Sequence, residues 1–246
     1  MSSAPKQPKN ISNFRNLLIL SLSITLLFTT SIACKKYFSS KDTDDNKNNS
    51  TETDKKIENR NLSYSIELQE VVEDQRQDPK ILLPGKITYK DKDQIRLRLK
   101  SNSEGYIYLV NETSELLDKD QVVSKYVWLF PLEKKRNLIN IDQEIKLPEE
   151  DLPGLQIAPK PGGKLWIVFA ENKLMGLEMI KMTANDRKDP IVTDLETAQA
   201  LKQMLEKYSV GKNEKTSLKI DEKNRLSELS SSEAIMTVAI DLEYKN

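Results

Sequence analysis

The sequence predicts a mainly β domain, an antiparallel β-sandwich of immunoglobulin-like or similar type with one packed amphipathic helix. Short segments that alternate apolar with polar residues predict strands, and turn residues bound the aromatic-rich segments. One segment, near residues 193–209, has the period of a helix instead. The length left behind the leader and a polar tract suits one domain, which we place at residues 62–246.

Six segments carry the strand signal. In each, apolar residues recur at every second position or form a short run rich in β-branched and aromatic residues. The segments are 62–68, 95–99, 106–110, 126–130, 164–170 and 236–244. Because Ser103-Glu104-Gly105 has the composition of a turn, we interpret 106–110 as the return strand of a hairpin that begins with 95–99.

The predicted helix begins at the capping box Thr193-Asp194-Leu195-Glu196, and Gly211 is placed to end it. Its apolar residues recur at intervals of three and four: Leu195, Ala198, Leu201, Met204, Leu205 and Tyr208. We expect this apolar side to pack on the sandwich. The alternative is a docking face for a partner helix.

The first 33 residues have the layout of an export signal. Residues 1–16 are polar and net basic, and residues 17–33 contain no charged residue. Cys34, the only cysteine of the chain, follows directly and precedes Lys35 and Lys36. This order of basic, apolar and small residues predicts a cleavable signal peptide over residues 1–33.

The four residues Ser31-Ile32-Ala33-Cys34 resemble the bacterial lipobox, although Ser31 stands where the lipobox usually has Leu. The resemblance implies cleavage between Ala33 and Cys34 and a diacylglyceryl group on Cys34, which would anchor the mature chain to a membrane. The alternative is an uncleaved signal anchor, since residues 17–33 would rise about 26 Å as a helix against a hydrocarbon core of about 30 Å. Both readings place the domain outside the cytoplasm, in the periplasm or outside the cell.

Residues 34–61 form a tract of mixed charge with few apolar side chains. Such a composition cannot bury enough apolar surface to offset the entropy of ordering the chain. We therefore expect a disordered tether between the lipidated cysteine and the domain.

The composition excludes several kinds of site. Histidine is absent and cysteine occurs once, so histidine-dependent triads, histidine metal ligands and internal disulfides are excluded. Lys plus Arg and Asp plus Glu number 38 each, and residues 1–33 carry three basic and no acidic residues, so the mature chain has a net charge of 0 − 3 = −3. This charge does not favour nucleic-acid binding. We expect neither a cofactor nor a metal.

Four blocks, in order, resemble the domain of unknown function 4384 family, which occurs in bacterial exported and membrane-associated proteins. They lie within residues 83–177: the segment 84–112, WLFP at 128–131, IKLPEEDL at 145–152 and GGKLWIVFAENKL at 162–174. The chain departs from many members in having no glycine between Glu115 and Lys125. The resemblance implies a β-sandwich-like domain in an exported protein, and it implies no catalytic residues.

Tyr106 and Tyr108 share one face of a predicted strand, and with Trp128 they form a candidate binding face. Aromatic side chains of this kind pack against extended ligands such as sugars. The alternative is that these side chains pack in the core. The aromatic residues of the predicted strands 126–130 and 164–170 include Trp128, Phe130, Trp166 and Phe169. We expect three or four of these four side chains to fill the sandwich and at most one to border a groove.

Two charged clusters are weaker candidates. Glu149-Glu150-Asp151 could bind calcium or supply carboxylates, but sequence neighbours rarely face each other across a substrate, so a solvated loop is the favoured interpretation. Lys134-Lys135-Arg136 could contact anionic headgroups or cell-wall polymers, and the alternative is a solvated turn.

These features predict a non-enzymatic exported lipoprotein whose domain binds another envelope component, a protein or a polysaccharide, or acts as an accessory module. The same protein held by an uncleaved signal anchor is the first alternative. A carboxylate-dependent envelope hydrolase is a weaker one, because such chemistry does not require histidine. A structural or sensory module of a secretion or stress system also fits the sequence.

Overall fold

The structure is a computed structural model that describes residues 59–117, 121–131, 136–150, 152–156, 163–186, 191–192 and 194–245. The predicted signal peptide, Ala33, Cys34 and the tether as far as residue 58 lie outside the described residues. The first strand begins at Arg60, two residues before the predicted domain start at Leu62.

The described chain is mainly β, as predicted, with sixteen strands and two helices. The strands are β1 Arg60–Gln69, β2 Val71–Val72, β3 Gln75–Arg76, β4 Lys80–Ile81, β5 Lys86–Tyr89, β6 Gln94–Ser101, β7 Gly105–Leu117, β8 Gln121–Phe130, β9 Leu138–Ile139, β10 Glu144–Leu147, β11 Leu155–Gln156, β12 Gly163–Ala170, β13 Ile191–Val192, β14 Thr216–Asp221, β15 Leu226–Ser231 and β16 Ile235–Tyr244. The helices are α1 Met175–Asp186 and α2 Leu195–Lys207.

Two seven-stranded sheets form the sandwich. Sheet I has the order β10-β6-β1-β15-β14, with β4 beside β1 and β11 beside β6. Sheet II has the order β13-β8-β7-β12-β16-β5, with β9 beside β7. Among the strand pairs of the described residues, β16 and β5 run parallel, which departs from the antiparallel prediction, and the other pairs are antiparallel.

The alternation along β12 shows how the layers are stacked. Leu165, Ile167 and Phe169 belong to the core between the two sheets. Trp166 and Val168, on the opposite face, belong to a second core beneath the helices. A strand buried on both faces lacks polar positions, which explains the continuous apolar run in this segment. The domain therefore has three layers: sheet I, sheet II and a helical layer.

The prediction of a helix near 193–209 is confirmed by α2, Leu195–Lys207. Asp194 is the N-cap, since its carboxylate accepts from the backbone N–H of Thr197 at 2.7 Å, whereas the capping box placed Thr193 there. At the other end the helix stops at Lys207 with Tyr208 as C-cap. Gly211, with φ of +80°, belongs to the following turn.

The second helix, α1, was not predicted. It buries Leu177 and Ile180 against sheet II and exposes three methionines on its outer side, so it is apolar on both faces. Neither helix within the described residues is long and apolar enough to span a membrane.

The predicted hairpin between 95–99 and 106–110 is wrong. β6 pairs with β1 in sheet I, whereas β7 pairs with β8 and β12 in sheet II, so the chain crosses between sheets at Ser103-Glu104-Gly105. The crossing is tight, because a Cβ at Gly105 would lie 2.5 Å from Cζ of Phe169. A period of two predicts a strand but does not reveal the sheet to which the strand belongs.

Candidate functional site

A groove of about 400 Å³ lies where the end of α2 meets the edge of sheet II. Charged, hydroxyl and apolar side chains from β12, α2, the turn after α2, β14 and β16 line it. These residues are Lys164, Trp166, Glu206, Ser209, Val210, Lys212, Leu218, Val238 and Ala239.

The groove lies at an uncovered part of the edge of β16. Two other segments of the chain hydrogen-bond to this edge, one on each side of the uncovered part. The backbone N–H of Thr237 donates to the carbonyl of Tyr208 at 3.1 Å, and that of Asp241 donates to the carbonyl of Gly85 at 3.1 Å. Since backbone groups alternate along a strand, the N–H and carbonyl of Ala239 point to the same edge. They face the groove between the two covering segments.

Two lysines give the groove its cationic character. Lys164 extends from β12 with its Nζ 5.7 Å from the centre of the Trp166 ring, within range of a cation–π contact. Lys212 projects from the turn after α2. Within the part of the chain that the structure describes, neither lysine takes part in an ion pair. Glu206 supplies one carboxylate, whose Oε1 lies 3.9 Å from Nζ of Lys202.

Trp166 connects the groove to a polar cluster beneath it. Its indole N–H donates to Oε2 of Glu112 at 2.7 Å, and the hydroxyl of Ser124 donates to Oε1 of the same carboxylate at 2.8 Å. The Tyr126 hydroxyl is buried beside them without a hydrogen-bond partner among the described residues. Burial raises the pKa of Tyr126, and the carboxylates of Glu112 and Glu206 raise it further.

The predicted aromatic binding face is closed. Tyr108 is 0% and Trp128 1% exposed, because α1 and α2 cover this side of sheet II, and Tyr106 is half-buried. The Trp128 indole N–H is satisfied by the carbonyl of Pro131 at 2.8 Å. These side chains form core rather than an open platform for a ligand.

Tyr108 also attaches α1 to the sheet. Its hydroxyl donates to Oε1 of Glu178 at 3.0 Å and accepts from the backbone N–H of Leu174 at 3.1 Å. The Asn137 amide donates to the same Glu178 oxygen at 3.5 Å, and Lys181 lies 3.8 Å from the other oxygen. Each of these polar groups contacts a partner, so the cluster holds α1 against sheet II.

The four aromatic residues expected in the sandwich are divided between two cores. Phe169 lies between the sheets, but Trp128 and Trp166 lie beneath the helices, so the expectation for these two is wrong. Phe130 is half-buried and borders an apolar slot of about 80 Å³ at the side of the sandwich. Leu109, Leu147 and Leu152 are among the other side chains of the slot.

Among the described residues, the acidic cluster 149–151 and the basic cluster 134–136 form no binding site. Glu150 is exposed and ion-paired with Lys146, which lowers the pKa of its carboxyl, and Asp151 lies outside the described residues. No group of three acidic or cysteine ligands that could hold a metal occurs among the residues that are described. Of the basic cluster, Lys134 and Lys135 fall outside them and Arg136 is exposed.

No family model matches the sequence, and neither a curated protein nor a solved structure matches the chain. The resemblance of residues 83–177 to the domain of unknown function 4384 family therefore stays a prediction. The groove was not predicted either, because Lys164, Lys212 and Ala239 are far apart in the sequence. The pairing of β12 with β16 places Lys164 near Ala239, and the turn after α2, which meets β16 at Ser209 and Thr237, adds Lys212.

Proposed function

We propose that the protein is a non-enzymatic exported lipoprotein, held at a membrane through Cys34, whose β domain binds another component of the cell envelope at the α2 groove. The lipobox-like residues before Cys34 and the polar tether behind it support the anchored part of the proposal. In the alternative, residues 17–33 stay as one anchoring helix, and the domain occupies the same side of the membrane.

The α2 groove is the feature that supports a role in binding. Lys164 and Lys212 supply two cations without ion-pair partners among the described residues, and the backbone of Ala239 supplies one donor and one acceptor. Val210 and Leu218 add apolar surface. Convergent polar groups set in an apolar wall are typical of ligand sites. The arrangement suits a ligand that combines acidic groups with hydroxyl or amide groups, as an acidic polysaccharide or an acidic protein segment does.

The carboxylates support a binding role over hydrolysis. Glu112, the carboxylate beneath the groove, already accepts hydrogen bonds from Trp166 and Ser124. Each oxygen of this carboxylate therefore already has a partner inside the fold, and the group holds Trp166 and Ser124 in place. Glu206, the remaining carboxylate of the groove, is exposed to water.

Photocrosslinking in the intact envelope tests the proposal. A photoreactive amino acid is placed at Lys212, in the groove, or at Lys223, in the exposed turn between β14 and β15, in the full chain. We expect a discrete adduct from position 212 that Lys164→Glu abolishes and Lys219→Glu, an equal charge change on the exposed side of β14, leaves intact. The same adducts from both positions, or adducts that survive Lys164→Glu, would show that the groove is not the binding site.

A further inference from the structure

α1 carries a row of exposed methionines. Met175, Met179 and Met182 are 56%, 46% and 67% exposed, and their spacing of four and three places them on one side of the helix. We call these three residues the methionine face. Exposed apolar rows of this kind are characteristic of interaction sites, and the flexible thioether adapts to irregular apolar surfaces.

The chain enters the domain close to this face. Arg60, the first residue of β1, donates to the backbone carbonyl of Glu233 at 3.0 Å and forms an ion pair with Glu171 at 2.5 Å. Glu171 directly follows the last residue of β12 and lies four residues before Met175, the first residue of α1. The contacts of Arg60 therefore fix the point of entry beside the start of α1.

The length of the tether limits how far this end can lie from a membrane. Residues 35–58 separate Cys34 from the first described residue. For the disordered tether that the sequence predicts, the root-mean-square span is about 25–30 Å. With acyl chains on Cys34, the entry point and the methionine face remain within roughly that distance of the bilayer.

Charge next to the face suits an anionic lipid surface. Lys173 precedes α1 and places its Nζ 5.8 Å from the centre of the Tyr106 ring, at the same end of the domain. In the sequence, Lys35 and Lys36 directly follow the proposed lipid attachment site, so two further cations adjoin the anchor. A cation at the end of an apolar helix face favours contact with an anionic membrane surface.

We propose that the methionine face rests on the bilayer that holds Cys34, with Lys173 at the anionic headgroups. The inference rests on the proposed lipid anchor, because three methionines alone make a weak contact. Attachment through the tether makes this contact intramolecular and raises the effective concentration of the face at the membrane to the millimolar range.

Lipid quenching on the full lipidated chain tests the proposal. The chain is reconstituted in vesicles of phosphatidylethanolamine and phosphatidylglycerol that contain a spin-labelled lipid. Since Cys34 is the only native cysteine and its sulfur carries the diacylglyceryl group in this proposal, Met179→Cys provides one reactive thiol for a fluorophore. Ile220→Cys is the matched control, since Ile220 is 45% exposed and lies on β14 of sheet I, away from the helical layer.

We expect severalfold stronger quenching at position 179 than at position 220. Adding Met175→Gln and Met182→Gln should reduce the quenching at position 179 to the control level, because glutamine keeps the helix but removes the apolar contact. Equal quenching at the two positions would overturn the docking and leave the lipid anchor standing. If protection of the fluorophore at position 179 from solvent depends on protein concentration and not on lipid, the methionine face self-associates. That result would overturn the docking on the bilayer. Labelling of Cys34 itself would show that the anchor is absent, which overturns the proposed function and the docking together.

Discussion

The indole N–H of Trp166 on β12 donates to the carboxylate of Glu112 on β7 across 2.7 Å. The bond lies on the side of sheet II that the helices cover and forms the base of the α2 groove. A charged acceptor and a mostly buried donor make this one of the stronger kinds of hydrogen bond in the domain. It also fixes the Trp166 ring beneath Lys164.

Trp166→Phe tests this bond. The change removes the donor and leaves the Glu112 carboxylate with the Ser124 hydroxyl, so the free energy of unfolding should fall by about 1.5–3 kcal/mol. Urea unfolding of the full chain, followed by circular dichroism, measures the change. Lys164→Gln, which removes only the cation above the ring, should cost about 0.5–1 kcal/mol. Equal losses for the two variants would contradict the importance of the bond.

Tyr108→Phe should loosen α1. The tyrosine hydroxyl bonds both to Glu178 and to the N–H of Leu174, so its loss should cost about 1–3 kcal/mol and speed hydrogen exchange at the α1 amides. Tyr126→Phe is the control, because no described residue stands in hydrogen-bond geometry with the Tyr126 hydroxyl, so its removal should cost less than the removal of the Tyr108 hydroxyl. The assignment fails if Tyr126→Phe is the more destabilising change.

The same tyrosines predict a loss of stability at alkaline pH. Burial raises the pKa of Tyr108 and of Tyr126 above the ordinary value of 10.0, and neighbouring carboxylates add to the effect. The unfolded chain therefore loses these protons first, so stability is complete below pH 10 and declines as the pH rises above it. Urea midpoints measured from about pH 9 to about pH 11.5 should fall less steeply for the Tyr108→Phe, Tyr126→Phe double variant. Parallel slopes in the two chains would contradict the assignment.

Asp194→Ala should destabilise α2, because its carboxylate accepts from the N–H of Thr197. The expected cost is about 0.5–2 kcal/mol, whereas Asp194→Asn should change stability little, since asparagine caps almost as well. Thermal unfolding of the three chains measures the difference. If alanine and asparagine cost the same, Asp194 does not act as the cap.

The strands were predictable because their signal is local. Ile95, Leu97 and Leu99 alternate with charged residues, and a half-buried strand is the structure that such alternation favours. The crossing at Gly105 was not predictable in this way, since the choice of sheet depends on Phe169 and the strand on which it lies.

The helix α1 and the groove could not be predicted for two different reasons. In α1, exposed Met179 and Met182 oppose buried Leu177 and Ile180, so the segment lacks the polar side that marks an amphipathic helix. The groove depends on the pairing of strands that are distant in the sequence. It also depends on the uncovered edge of β16 at Ala239, which no local sequence pattern reveals.

The mass of the N-terminal peptide, from protein extracted from cell membranes, tests the central proposal most directly. We expect a mature chain that begins at Cys34 with a diacylglyceryl group on its sulfur, and no peptide from residues 17–33. Cys34→Ala should keep the leader attached. An N-terminal peptide that runs from the leader through an unmodified Cys34 would contradict the lipoprotein proposal and favour an uncleaved signal anchor.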